Sequence, residues 1–134
     1  MGDRANFVFV DGAGDAVCLY GHWAGYNMLG KLADAVIAAK PRWHDESYAT
    51  RIAISQLIGD DWNMETGWGL QVNSIGDNEH KIAVINWQQR TFSLHDQDDH
   101  RNKENKVLGM KNKAIFTMDL ADFCEKYALE KMLT

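Results

Sequence analysis

Two short apolar runs, Asn6-Phe7-Val8-Phe9-Val10 and Ala16-Val17-Cys18-Leu19-Tyr20, flank the pentapeptide Asp11-Gly12-Ala13-Gly14-Asp15. β-Branched and aromatic residues fit an extended, half-buried backbone, whereas Gly and Asp supply turn geometry. The pattern therefore predicts a β-hairpin. Both runs carry apolar residues on both faces in part, so the hairpin is expected to be central and covered. That constrains everything downstream: the rest of the chain must extend this sheet and supply a layer to bury it.

The next segments fit that demand. Met28, Leu29, Leu32, Ala33, Val36 and Ile37 recur at helical spacing, with Asn27 as the expected N-cap and Pro41 ending the helix by disfavouring helical backbone at Lys40. A second helix is expected from about Asp45 to Ile58, capped by Asp45 and stopped by Gly59, with Tyr48, Ile52, Leu57 and Ile58 inward. Trp68, Leu70 and Val72 then alternate with Gly69, Gln71 and Asn73, which marks a half-buried strand. Ile82–Trp87 and Thr91–Leu94 are read as two more strands, joined through Gln88-Gln89-Arg90, with Asp77-Asn78-Glu79 as the preceding turn.

Residues 96–113 hold four acids and five bases and little that is apolar, and are expected to be a mobile loop or insertion. Lys113–Thr117 reads as an edge strand. A last helix carries Leu120, Phe123, Cys124, Tyr127 and Ala128 on one face. The order ββααβββ(β)α predicts an α+β fold, with an antiparallel sheet of about five strands and helices packed mainly on one face. The length of 134 residues suits a single domain over 1–134.

Composition excludes more than it selects. A net charge of -5 is too small for a nucleic-acid mimic and argues against a protein that grips phosphate backbones. There is no basic-plus-apolar leader and no apolar run long enough to span a bilayer, so a cytoplasmic protein without membrane contact is expected. Met1-Gly2 does not signal myristoylation, because Asn6 stands where that motif needs Ser or Thr. Cys18 and Cys124 lack CxxC spacing and read as small buried hydrophobes in a reducing compartment.

The chemistry-bearing residues gather at the hexapeptide Gly21-His22-Trp23-Ala24-Gly25-Tyr26, where the second run ends and a helix is about to begin. Junctions between rigid elements are where binding groups tend to sit. An antiparallel hairpin brings this junction near Arg4, and residues two apart on a strand share a face, so Arg4 and Asn6 project together. An Arg fork suits carboxylate or phosphate, and Trp23 and Tyr26 are platforms for a ring. The candidate ligand-binding set is thus Arg4, Asn6, His22, Trp23 and Tyr26. The competing reading makes Trp23 and Tyr26 plugs for the end of the core and pairs Arg4 with Asp3 or Asp15.

Other chemistries find less support. Asp77, Glu79 and His80 could join His22 around a cation, but no spacing such as HExxH backs a metal. No nucleophile elbow, P-loop or GxGxxG occurs, and no catalytic set, cofactor or metal is assigned. His44, His95 and His100 sit in polar contexts and read as surface residues. Trp62 and Trp68 flank the 63–66 loop and are the tryptophans expected to be exposed.

Four segments, Met1-Gly2-Asp3-Arg4-Ala5-Asn6, His22-Trp23-Ala24-Gly25-Tyr26, Arg42-Trp43-His44-Asp45 and Thr66-Gly67-Trp68-Gly69-Leu70, carry a resemblance, to which Gly76-Asp77-Asn78-Glu79-His80 also contributes. Together they resemble a family of small phage and bacterial proteins opening MG(D/T)R(A/S)N with an HWxGY-like motif, over roughly residues 1–95. The resemblance implies a phage context and supplies no mechanism. Ala24 departs from it, standing where members often carry Gly or Asp, which removes a carboxylate that a metal site would use.

These readings converge on an expected function. The chain is expected to be a small, phage-encoded binding protein whose pocket takes a small anionic, nucleotide-like ligand and sequesters a host signalling molecule. The alternatives are a hydrolase using His22, with or without a metal, and a protein-interaction module that inhibits a host protein.

Overall fold

The computed structural model describes residues 3–75, 79–96 and 114–129. It is an α+β protein built on a six-stranded sheet. In chain order the elements are β1 (Ala5–Val10), β2 (Ala16–Gly21), α1 (Met28–Ala38), α2 (Glu46–Ile58), β3 (Trp68–Val72), β4 (Ile82–Asn86), β5 (Thr91–His95), β6 (Phe116–Asp119) and α3 (Leu120–Tyr127). Short 3-10 turns at Lys40–Arg42 and Gly59–Asn63 follow the first two helices.

The hairpin forms as expected, in a register that sets Phe7 opposite Leu19 and Ala5 opposite Gly21. Its turn is held by Asp11, whose Oδ1 accepts from the Ala13 and Asp15 backbone N–H groups at 2.9 Å. Gly14 supplies the positive φ of 88° that an L side chain would resist.

Across the sheet the strand order is β3-β2-β1-β4-β5-β6. One central pair departs from the antiparallel expectation: β1 and β4 run parallel, with Phe7 beside Ala83. The reason is topological. β2 occupies one edge of β1 and β3 pairs with β2, so the chain must cross from the sheet edge to β1's other side to add β4. That crossover carries Ile75 over the face opposite the helices, against Val8, Ala16, Cys18, Ile82 and Val84. The parenthesised strand of the sequence reading exists as β6, shifted to Phe116–Asp119, and lies at the sheet edge as expected.

The main core lies between the other face and all three helices. Phe7, Phe9, Leu19, Ala83, Ile85 and Phe92 meet Leu32, Val36, Ala53, Ile54 and Phe123 there. Both buried indoles are satisfied: Trp43 Nε1 donates to the Val36 carbonyl and Trp87 Nε1 to Thr50 Oγ1, each at 2.9 Å.

Some local expectations hold and others are corrected. Asn27 does precede α1, but in a left-handed conformation (φ 55°) and without a side-chain cap. Asp45 caps α2 through the Tyr48 N–H, and Gly59 ends that helix with φ 62°. Tyr48 faces outward, leaving Ala49, Ala53, Ile54 and Ile58 to fill the inner face. His95 is buried rather than superficial, with Nε2 3.1 Å from Ser93 Oγ. Residues 97–113 of the expected loop, and with them His100, lie outside the described residues, as do Asp77 and Asn78 of the expected turn. No described helix is long and apolar enough to cross a membrane.

Candidate functional site

The strand directions bring the start of β1, the end of β2 and the start of β3 to one rim of the sheet. The paired register of β1 and β2 ends at Ala5 and Gly21, so Arg4 and His22 each lie one residue beyond it, and the Asp3 N–H donates to the His22 carbonyl at 3.1 Å. On the far side of β2, the His22 N–H donates to the Gly67 carbonyl at 2.8 Å, which ties the rim to the entry of β3.

His22 is oriented by its neighbours. Its Nδ1 lies 2.8 Å from the Tyr20 hydroxyl, two residues back on the same face of β2. Its ring meets that of Trp23 edge to face, with centroids 4.5 Å apart. When the phenol donates to Nδ1, the imidazole presents an Nε2–H donor; when the imidazole donates, Nε2 is an acceptor.

Arg4 is half-buried and makes no ion pair among the described residues. The carboxylates expected to neutralise it are engaged elsewhere. Asp3 Oδ1 pairs with His80 Nε2 at 2.5 Å, and Asp15 Oδ1 accepts from Asn73 Nδ2. Glu79 accepts the Arg4 backbone N–H through its own side chain at 2.9 Å and donates its N–H to the Arg4 carbonyl. The Asp3 carboxyl is held below the ordinary aspartate range, chiefly by the His80 hydrogen bond and further by the Tyr26 backbone.

Gly25 makes this arrangement feasible. Its N–H donates to the Asp3 carbonyl at 2.9 Å, and a Cβ there would clash with both His80 Nε2 and Asp3 Oδ1. The glycine of the junction thus serves the Asp3–His80 pair by its lack of a side chain.

The five candidate residues divide. Arg4 and His22 each stand one residue beyond the last paired positions of β1 and β2, Ala5 and Gly21. Trp23 and Tyr26 stand in solvent at 64% and 73% exposure, so neither plugs the core. Trp23 also lines a 320 Å³ cavity with Lys31, Asp61 and Trp68. Asn6 is fully buried within the sheet beneath Arg4, opposite Tyr20. Trp62 is exposed as expected, but Trp68 is half-buried, its Nε1 3.4 Å from Asp61 Oδ2.

Sequence reasoning missed the roles of Asp3, Tyr20 and Gly67. The i, i+2 spacing of Tyr20 and His22 on a strand was the available signal for one of them. His80 joins Asp3 rather than His22, and Asp77 lies outside the described residues. Among the described residues no three metal-ligating side chains group together.

Burial pushes the two thiols, Cys18 and Cys124, up to about 11, and both are free. They lie in cores on opposite faces of the sheet. No protein-family model matches the sequence, and no curated protein or solved structure matches it either.

Proposed function

We propose that this is a small-molecule binding protein whose ligand carries an anionic group on Arg4 and His22 and a ring on Trp23, a nucleotide-like ligand being the best fit. One observation carries the reading: Trp23 and Tyr26 stand in solvent, and Arg4 makes no ion pair among the described residues. Lys31, on the Trp23 side of the rim, adds a second cation. In the phage context that the motif resemblance implies, such a protein would sequester a host signalling nucleotide.

The test is native mass spectrometry with adenosine 5′-monophosphate and with adenosine. Binding of the monophosphate, much weaker binding of the nucleoside and no conversion over time support the reading. Equal binding of both removes the role given to Arg4 and His22. Conversion of the monophosphate would favour the hydrolase.

The interaction-module reading draws on a different observation. Trp62, Met64 and Leu70 are exposed together around a 160 Å³ groove beside the edge strand β3. A partner on that groove would protect Trp62 from quenching by acrylamide, whereas a nucleotide on the rim would protect Trp23.

A further inference from the structure

The opposite end of the sheet holds a second feature. β1 and β4 are parallel neighbours, so both run out at the same end, at Val10 and Asn86. Their hairpins then turn in opposite directions, β1 toward β2 and β4 toward β5. In open sheets a crevice forms where adjacent parallel strands send their connections apart, and ligands bind there. The crevice exists here. A 590 Å³ cavity lies on the β2 side and a 380 Å³ one on the β5 side, and Glu46 of α2 lines both.

The larger cavity has a distinct chemistry. Phe9, Val17 and Val72 give it apolar walls, and Asp11, Asp15 and Glu46 give it three carboxylates without one basic side chain among its lining. Much of the acceptor capacity is unspent. Asp11 uses Oδ1 for the hairpin turn and Asp15 uses Oδ1 for Asn73, which leaves Oδ2 of each. Glu46 Oε2 is shut off from solvent with no hydrogen-bond partner, a costly placement for a carboxylate oxygen. The start of α2 offsets part of that cost, because the positive end of the helix favours an acid in its first turn.

We infer that this cavity binds an organic polycation of the polyamine kind, with protonated amines on Asp11, Asp15 and Glu46 and methylene segments against Phe9, Val17 and Val72. A bare metal ion does not suit it. The volume far exceeds one ion and falls in the range of small-molecule sites, and no described trio of acids is placed to ligate a metal. An anionic ligand is excluded by the three carboxylates. The inference is independent of the rim, which lies at the other end of β1.

Calorimetric titration with spermidine tests it, with magnesium chloride as the inorganic control. Spermidine is expected to bind at a single site and magnesium to bind at least tenfold more weakly. Two variants localise the site. Glu46→Gln keeps the shape and removes the charge; Val72→Lys places an ammonium at the mouth, on a side chain exposed enough to tolerate the change. Each is expected to weaken spermidine at least tenfold, and Glu46→Gln to melt no lower than the parent. The inference is overturned if spermidine does not bind, if magnesium matches it, or if both variants bind like the parent.

Discussion

His80 holds Asp3 through a 2.5 Å side-chain hydrogen bond, and this occupies the acid that stands next to Arg4 in the chain. On the proposed reading, the pair keeps this carboxylate from neutralising the Arg4 guanidinium. His80→Ala should leave Asp3 without its donor and weaken adenosine 5′-monophosphate about two- to fivefold, the scale of an exposed charge effect. Asp3→Asn in the same background should restore the affinity. Calorimetry on the four members of this cycle checks it; a loss that Asp3→Asn does not rescue would mean that His80 touches the ligand itself.

The same pair sets a pH dependence. The Asp3 carboxyl titrates below its ordinary value of about 3.9. A depressed carboxylate contributes stability that is full above its unfolded pKa and is lost as pH falls through the folded one. The melting-temperature gap between parent and Asp3→Asn should therefore be constant near pH 6 and close below about pH 4. A gap that widened on acidification would contradict the assignment.

Phe92 and Phe123 stack at 4.0 Å between centroids, 12° from parallel, and both are fully buried. They bind α3 to the sheet. Phe123→Ala removes a large buried ring and should cost about 3–5 kcal/mol in denaturant unfolding. A cost under about 1 kcal/mol would mean that α3 does not depend on this contact.

Cys18 and Cys124 are buried thiols pushed up to about 11. Reaction needs thiolate and access, and neither is present at neutral pH. Ellman's reagent should release almost no chromophore from the folded protein at pH 8 and should titrate both thiols after denaturation. Rapid reaction of one thiol in the native state would expose an opening that the fold does not show.

The hairpin, the two middle helices and the order of elements were legible because each follows from a local period. The β1–β4 pairing was not, because parallel neighbours 76 positions apart in register leave no mark on local alternation. Tyr48 was read as inward because an aromatic at helical spacing usually is; here alanines at 49 and 53 bring α2 close instead. His95 looked superficial beside acids, yet alternation along β5 turns it onto a covered face. At the rim, the hairpin pattern placed the ends of β1 and β2 side by side, at Ala5 and Gly21. The Asp3–His80 pair required the crossover that carries β4 to β1, and nothing near Asp3 announces it.

The central claim is that Arg4, which makes no ion pair among the described residues, binds the ligand's anionic group together with His22. Arg4→Ala should weaken adenosine 5′-monophosphate at least tenfold in calorimetry, the scale of about 1.5–3 kcal/mol for a hydrogen bond to a charged group. Its melting temperature should shift by no more than a surface change does, within about 0.5 kcal/mol of stability. Unchanged affinity, or a large fall in melting temperature, would show instead that Arg4 belongs to the scaffold.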